Sequence, residues 1–110
     1  MSKTKQSPTT VRALIEVSIT PQKDLGFDSI AERIYSYPQV KSCYLLSGGF
    51  DLLVVVEGDS IHTVADFVAA KLSSMANVRQ TATHFLLRKY KEEGQIFIQP
   101  KNDTKPNISY

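Results

Sequence analysis

Cys43-Tyr44-Leu45-Leu46-Ser47-Gly48-Gly49-Phe50-Asp51-Leu52-Leu53-Val54-Val55-Val56 is two apolar runs joined by a glycine pair, with a carboxylate just after it. Two strands separated by a short glycine-containing connection read as a β-hairpin. The second run, Leu52 to Val56, shows no alternation of apolar and polar residues. A strand apolar on both faces has to be buried on both faces. The rest of the chain supplies material for one cover, which assigns the second cover to another copy of the protein. The expectation is an obligate oligomer with a polar, glycine-lined turn near a subunit boundary. Such a place suits a small ligand better than a nucleic acid.

Outward from the hairpin, Val11 to Thr20 alternates with period two. Val11, Ala13, Ile15, Val17 and Ile19 point one way, and Arg12, Glu16 and Ser18 the other, with Leu14 breaking the polar set; Pro21 ends the strand. Phe27, Ile30, Ala31 and Ile34 then form the stripe of a short amphipathic helix. Asp28 is placed to cap it or to sit in its first turn, and Pro38 stops it near Tyr37. Val40 to Ser47 and Phe50 to Glu57 are the hairpin strands. Ser60 is placed to cap a second, longer helix striped by Ile61, Val64, Ala65, Val68 and Leu72. Val78 to Tyr90 reads as a long last strand, with Thr81, Thr83, Phe85 and Leu87 on one side and Ala82, His84 and Leu86 on the other.

The order β-α-β-β-α-β predicts an α+β, ferredoxin-like sandwich, with both helices on one face of a four-stranded antiparallel sheet. The other face is left open, and two such sheets packed face to face, as a dimeric α/β barrel, would close it. The flanks are different in character. Met1 to Thr10 is polar and reads as a disordered arm ahead of the domain at 11–94. In the tail, 95–110, the triplet Ile96-Phe97-Ile98 suits a short edge strand. Pro100 to Tyr110 reads as mobile, and its Asn107-Ile108-Ser109 sequon as chance.

A chain of 110 residues is one domain. At this size it buries roughly 60–70% of its unfolded surface, so association would help its stability. The net charge of +2 argues against nucleic acid and anionic membranes as partners. One cysteine, Cys43, excludes an internal disulfide and reads as a buried thiol. The first ten residues hold no signal-peptide core, and no apolar run reaches the roughly 20 residues that span a bilayer. The expected location is the cytoplasm.

Gly48, Gly49 and Asp51 are the leading site candidates. A glycine turn lets backbone N–H groups converge on an anion, and a nearby carboxylate accepts from an ammonium group. Together they match the two ends of an amino-acid zwitterion. Equally, the glycines can serve a hairpin that needs positive φ. Thr81 and Thr83 either line a pocket with the turn or reflect plain β-propensity. His62 reads as an exposed first-turn residue and His84 as a partly buried one. Neither stands at a metal-ligand spacing, and Cys43 has no CxxC partner. With no Walker loop, GxSxG or HExxH, no catalytic residue, metal or cofactor is called. Arg88, Lys89 and Lys91, beside Glu92 and Glu93, read as a solvated strand end.

The pattern Val40…Leu46-Ser47-Gly48-Gly49-Phe50-Asp51-Leu52-Leu53, then Phe67-Val68, Val78 and Thr81-Ala82-Thr83-His84-Phe85, resembles the effector (RAM) domain of the Lrp/AsnC regulators. The resemblance covers about Val11 to Gly94. It implies a ferredoxin-like unit that dimerises through its sheets, assembles into octamers or other rings, and binds amino acids between dimers near the glycine–Asp turn. On that basis Gly48, Gly49, Phe50 and Asp51 are the expected ligand residues, with Thr81 and Thr83 as neighbours. The family's helix-turn-helix domain has no counterpart in the ten polar residues before the first strand. The resemblance is therefore to a stand-alone effector domain, expected to bind no DNA itself and either to bind a small molecule alone or to mix with and modulate full-length relatives through the shared dimer surface. Two alternatives are a structural co-assembly partner without a ligand and a small-molecule enzyme of the dimeric α/β barrel type.

Overall fold

The computed structural model describes residues 10–20 and 26–97. The expectations for the arm before Thr10, the stop at Pro21, Ile98 and the tail from Pro100 with its Asn107 sequon lie outside them.

Strand β1 (Val11–Ile19) is followed by helix α1 (Phe27–Tyr35), strands β2 (Val40–Leu45) and β3 (Leu52–Gly58), helix α2 (Ile61–Phe67) and strand β4 (Val78–Phe85). The four strands form one antiparallel sheet in the order β2-β3-β1-β4, the ferredoxin-like arrangement. Alternation in β1 sends Ala13, Ile15, Val17 and Ile19 into the core, where they meet Leu52, Val54 and Val56 of β3. Ile30 and Ile34 of α1, and Val64, Phe67, Val68, Leu72 and Met75, close the layer above. This one apolar layer supplies the main driving force for folding.

The second helix departs from its expected stripe. After Phe67 it widens into a π-turn (Val68–Leu72), with Ser73 N–H donating to Val68 O at 2.8 Å. The buried set becomes Val64, Phe67, Val68 and Leu72, while Ile61 and Ala65 are exposed. Phe67 meets Tyr37 edge-on at 5.4 Å. The helix starts as expected, because Ser60 Oγ accepts from Thr63 N–H at 3.1 Å. Ser60→Ala should cost about 1 kcal/mol, read as a lower urea midpoint at unchanged slope. Gly58 sits where the chain turns into this helix, and a Cβ there would stand 3.0 Å from Val64 Cγ2.

Three further boundaries differ from expectation. Helix α1 ends at Tyr35, short of Tyr37, and starts from Gly26; Asp28 stands in its first turn, one of its two expected places. Strand β4 stops at Phe85 instead of reaching Tyr90, and Leu87 is almost fully exposed. Lys91–Glu92 (β5) and Gln95–Ile96 (β6) then pair as a separate ribbon, so Ile96 adds no strand to the main sheet. Its turn is Glu93-Gly94, both with positive φ, the backbone that tight hairpins favour.

The segment after β4 bends over the open face. Leu86 N–H donates to Arg12 O at 2.8 Å, and 86–92 shelters Leu14 and Val55. Val55, which faces away from the helices, is thereby only 8% exposed. Part of the second cover expected from another copy thus comes from the chain itself. Leu53, Ala82 and Tyr44 remain on the uncovered part, Tyr44 half-exposed.

Candidate functional site

The hairpin connection is longer than the glycine pair alone. It runs over 46–51, between the end of β2 and the start of β3, and is closed by Leu46 N–H donating to Asp51 O at 2.9 Å. Ser47, Gly48 and Gly49 are exposed and Phe50 is half-buried. Among the described residues, no backbone hydrogen bond engages the N–H groups of 47–50. Four consecutive backbone donors at the end of the sheet are thus without a backbone partner among the described residues. Neither glycine takes a positive φ, and a Cβ at either would meet nothing within 4 Å. The conformational reason for glycine, allowed from the sequence, does not operate here.

Asp51 joins this turn to the centre of the sheet. Its N–H donates to Val17 O at 3.0 Å, and its Oδ2 accepts from Ile19 N–H at 2.8 Å. The carboxylate thus substitutes for a strand partner where the β1–β3 ladder runs out. On the other side, the buried Asn77 accepts from Thr20 N–H through its backbone oxygen at 2.9 Å. These two contacts hold the end of β1 between the turn and the start of β4. Asn77 was not legible as a site-framing residue, since only its position before a strand marks it. The second Asp51 oxygen has no hydrogen-bond partner among the described residues.

Thr81 and Thr83 stand apart from the turn within one protomer. They pair with Val17 and Ile15 across β4–β1, and so share the helix-side face. Strand β1 separates them from β3, which puts them about 10 Å from the hairpin strand. Thr81 Oγ1 lies 3.1 Å from Ser73 Oγ at the end of the π-turn. The chain therefore gathers Gly48, Gly49, Phe50 and Asp51 in one place, with Thr81 at the same end of the sheet and Thr83 nearer its middle, both two strands away.

Other candidate groups are accounted for by local contacts. Cys43 is half-buried on the helix-side face rather than fully enclosed, and desolvation by burial pushes its thiol pKa up, away from a reactive thiolate. His62 is exposed, 3.8 Å from Asp66 one turn on. His84 lies on the open face, its Nε2 3.0 Å from Glu16 Oε2. Arg88, Lys89 and Lys91 rim a groove of about 420 Å³ over Leu14, Val55 and Leu86 at the opposite end of the sheet from the turn. Its charges are already answered in part, with Arg12 on Glu57 at 2.6 Å and Lys89 on Glu92 at 3.4 Å. No cluster of three metal-ligating side chains occurs among the described residues. Nor is any described helix long and apolar enough to cross a membrane.

Comparison with known proteins gives this architecture a family. Residues 12–96 match the Lrp/AsnC ligand binding domain. The chain is 46% identical over 99 residues to the uncharacterized HTH-type transcriptional regulator YugG of Bacillus subtilis, covering 90% of this chain and 60% of that protein. The crystal structure of the transcriptional regulator NMB0573 in complex with L-Met, from Neisseria meningitidis, superposes with a TM-score of 0.69 at 28% identity, over 78% of this chain and 55% of that one. The structure of FFRP-DM1 superposes with a TM-score of 0.63 at 27% identity, over 70% of this chain and 99% of that one. The chain therefore belongs to the Lrp/AsnC family and carries its effector-binding domain, a regulatory rather than an enzymatic unit. It spans 60% of the Bacillus regulator's length and a little over half of the Rhizobium meliloti leucine-responsive regulatory protein's.

Proposed function

We propose that the chain is an oligomeric effector module that binds an amino acid, or a small molecule like one, at the 47–51 turn. The observation that carries this is the row of four backbone N–H groups with no backbone partner among the described residues, beside a carboxylate, on a turn whose glycines neither the backbone nor the packing requires. Backbone donors bind the ligand carboxylate, and Asp51 takes the ammonium group through the oxygen that Ile19 leaves open. Because the turn sits at the end of the sheet, a neighbouring subunit completes the pocket, bringing its own Thr81 or Thr83 hydroxyl toward it. Binding and assembly are then thermodynamically linked. The methionine complex of the Neisseria regulator supports an amino-acid ligand class.

Association runs through the open face, where Leu53, Ala82 and Tyr44 lie beside the sheltered Leu14 and Val55. A second copy placed sheet to sheet covers them. The likeness to a longer helix-turn-helix regulator favours a second role: the same face could join this chain to such relatives and modulate them.

Gly49→Ala tests the site without disturbing the fold. A Cβ there meets nothing and needs no left-handed backbone, so the urea midpoint should stay at or slightly above the parent's. Calorimetric affinity for the bound amino acid should fall at least about tenfold, because the methyl group blocks the approach to the amides. Equal affinity in parent and variant would move the site off the turn.

A further inference from the structure

On the open face, β1 carries Arg12, Leu14 and Glu16, β3 carries Leu53, Val55 and Glu57, and β4 carries Ala82 and His84. Two charged pairs flank the apolar centre. Arg12 holds Glu57 at 2.6 Å, a pair with no net charge. Glu16 has, among the described residues, only His84 as an ionic partner, with Nε2 3.0 Å from Oε2. Their side chains are 37% and 57% exposed, so water now solvates both. Glu16 is also the cross-strand neighbour of Leu53, at the middle of the uncovered apolar patch.

We propose that His84 and Glu16 make association of this face proton-linked, each protomer taking up a proton on His84 as a second copy covers it. This rests on the reading above that a second copy covers the open sheet. Covering Leu53 removes water from Glu16, and an ionised carboxylate withdrawn from water needs an opposite charge beside it. A neutral imidazole supplies a hydrogen bond only, whereas an imidazolium supplies the charge as well. Among the described residues, the cations named on this face are engaged elsewhere. Arg12 is held by Glu57, and Arg88 and Lys89 lie with Glu92 around the groove at the Arg12 end. Along β4, His84's same-face neighbours Ala82 and Leu86 carry no charge.

The sign follows from linkage. His84 binds its proton more tightly in the dimer than in the monomer, so association is strongest in acid and weakens as pH rises through the dimer's titration. Because a two-fold dimer holds two such pairs, the effects multiply.

The test is the dimer dissociation constant of the full chain between pH 8 and pH 6, measured by sedimentation equilibrium. The parent should associate about tenfold more tightly at pH 6 than at pH 8. His84→Gln and Glu16→Gln should each flatten that profile, whatever they do to the affinity itself. Leu53→Asp identifies the face. A dimer that Leu53→Asp dissociates but whose constant is flat with pH overturns this proposal alone, as does a slope that survives His84→Gln. A dimer indifferent to Leu53→Asp, or a monomer throughout, overturns the covered-sheet reading and this proposal with it.

Discussion

Leu53→Asp is expected to turn the associated protein into a folded monomer. Leu53 lies on the open face between its cross-strand neighbours Glu16 and Tyr44, while the core residues Leu52, Val54 and Val56 point the other way. The substitution therefore leaves the helix-side layer intact and puts a carboxylate where the second sheet would lie. An unpaired charge buried there costs several kcal/mol, and a two-fold interface carries the cost twice. The dissociation constant should rise at least about a hundredfold, equivalent to about 3 kcal/mol. Light scattering at micromolar concentration would show a monomer, with the far-ultraviolet circular dichroism of the parent. Val55 is the poorer choice, because the chain's own 86–92 segment already lies over it.

The second large effect is expected at Asp51, and two variants are needed to read it. Asp51→Ala removes both the charge offered to a ligand and the acceptor that holds Ile19 N–H. It should weaken amino-acid binding about ten- to a hundredfold and also lower the stability of the protomer by about 1–3 kcal/mol. Asp51→Asn keeps an acceptor oxygen for Ile19 and loses only the charge. Its stability should stay near the parent's while its binding falls as far as that of the alanine variant. If the asparagine variant binds as tightly as the parent by calorimetry, the carboxylate serves the strand joint and contacts no ligand.

The fold was readable wherever a pattern was local. Alternation in 11–19 gives β1 its face, and the stripe at Phe27, Ile30, Ala31 and Ile34 gives α1, because side-chain period alone decides which face is buried. Contacts distant in sequence were not readable. The hairpin strands end earlier than their apolar runs because Asp51 turns its N–H and carboxylate to β1, 32 residues away at Ile19. The π-turn after Phe67 rotated the buried stripe off Ile61 and Ala65, and no residue type announces such a turn. Val55 looked like a residue waiting for a partner, yet it shares a groove with the chain's own residues 86 and 88–92, which follow β4.

The candidate site divides in the same way. Glycines followed by a carboxylate in a strand connection were legible, because the residue types themselves state what can approach them. Whether Thr81 and Thr83 belong with them depended on strand order and register. The sheet places β1 between, and Ser73 takes the Thr81 hydroxyl as a partner. Among the described residues the turn is thus a row of backbone donors without backbone partners, and on the proposed reading a neighbouring copy closes it into a pocket.

Calorimetric titration of the protein with each of the common amino acids tests this account most directly. At least one should give saturable heat at a stoichiometry tied to the number of turns, without turnover of the ligand. Absence of binding to every one of them, by a folded and associated protein, would contradict it and leave the chain as an assembly partner alone.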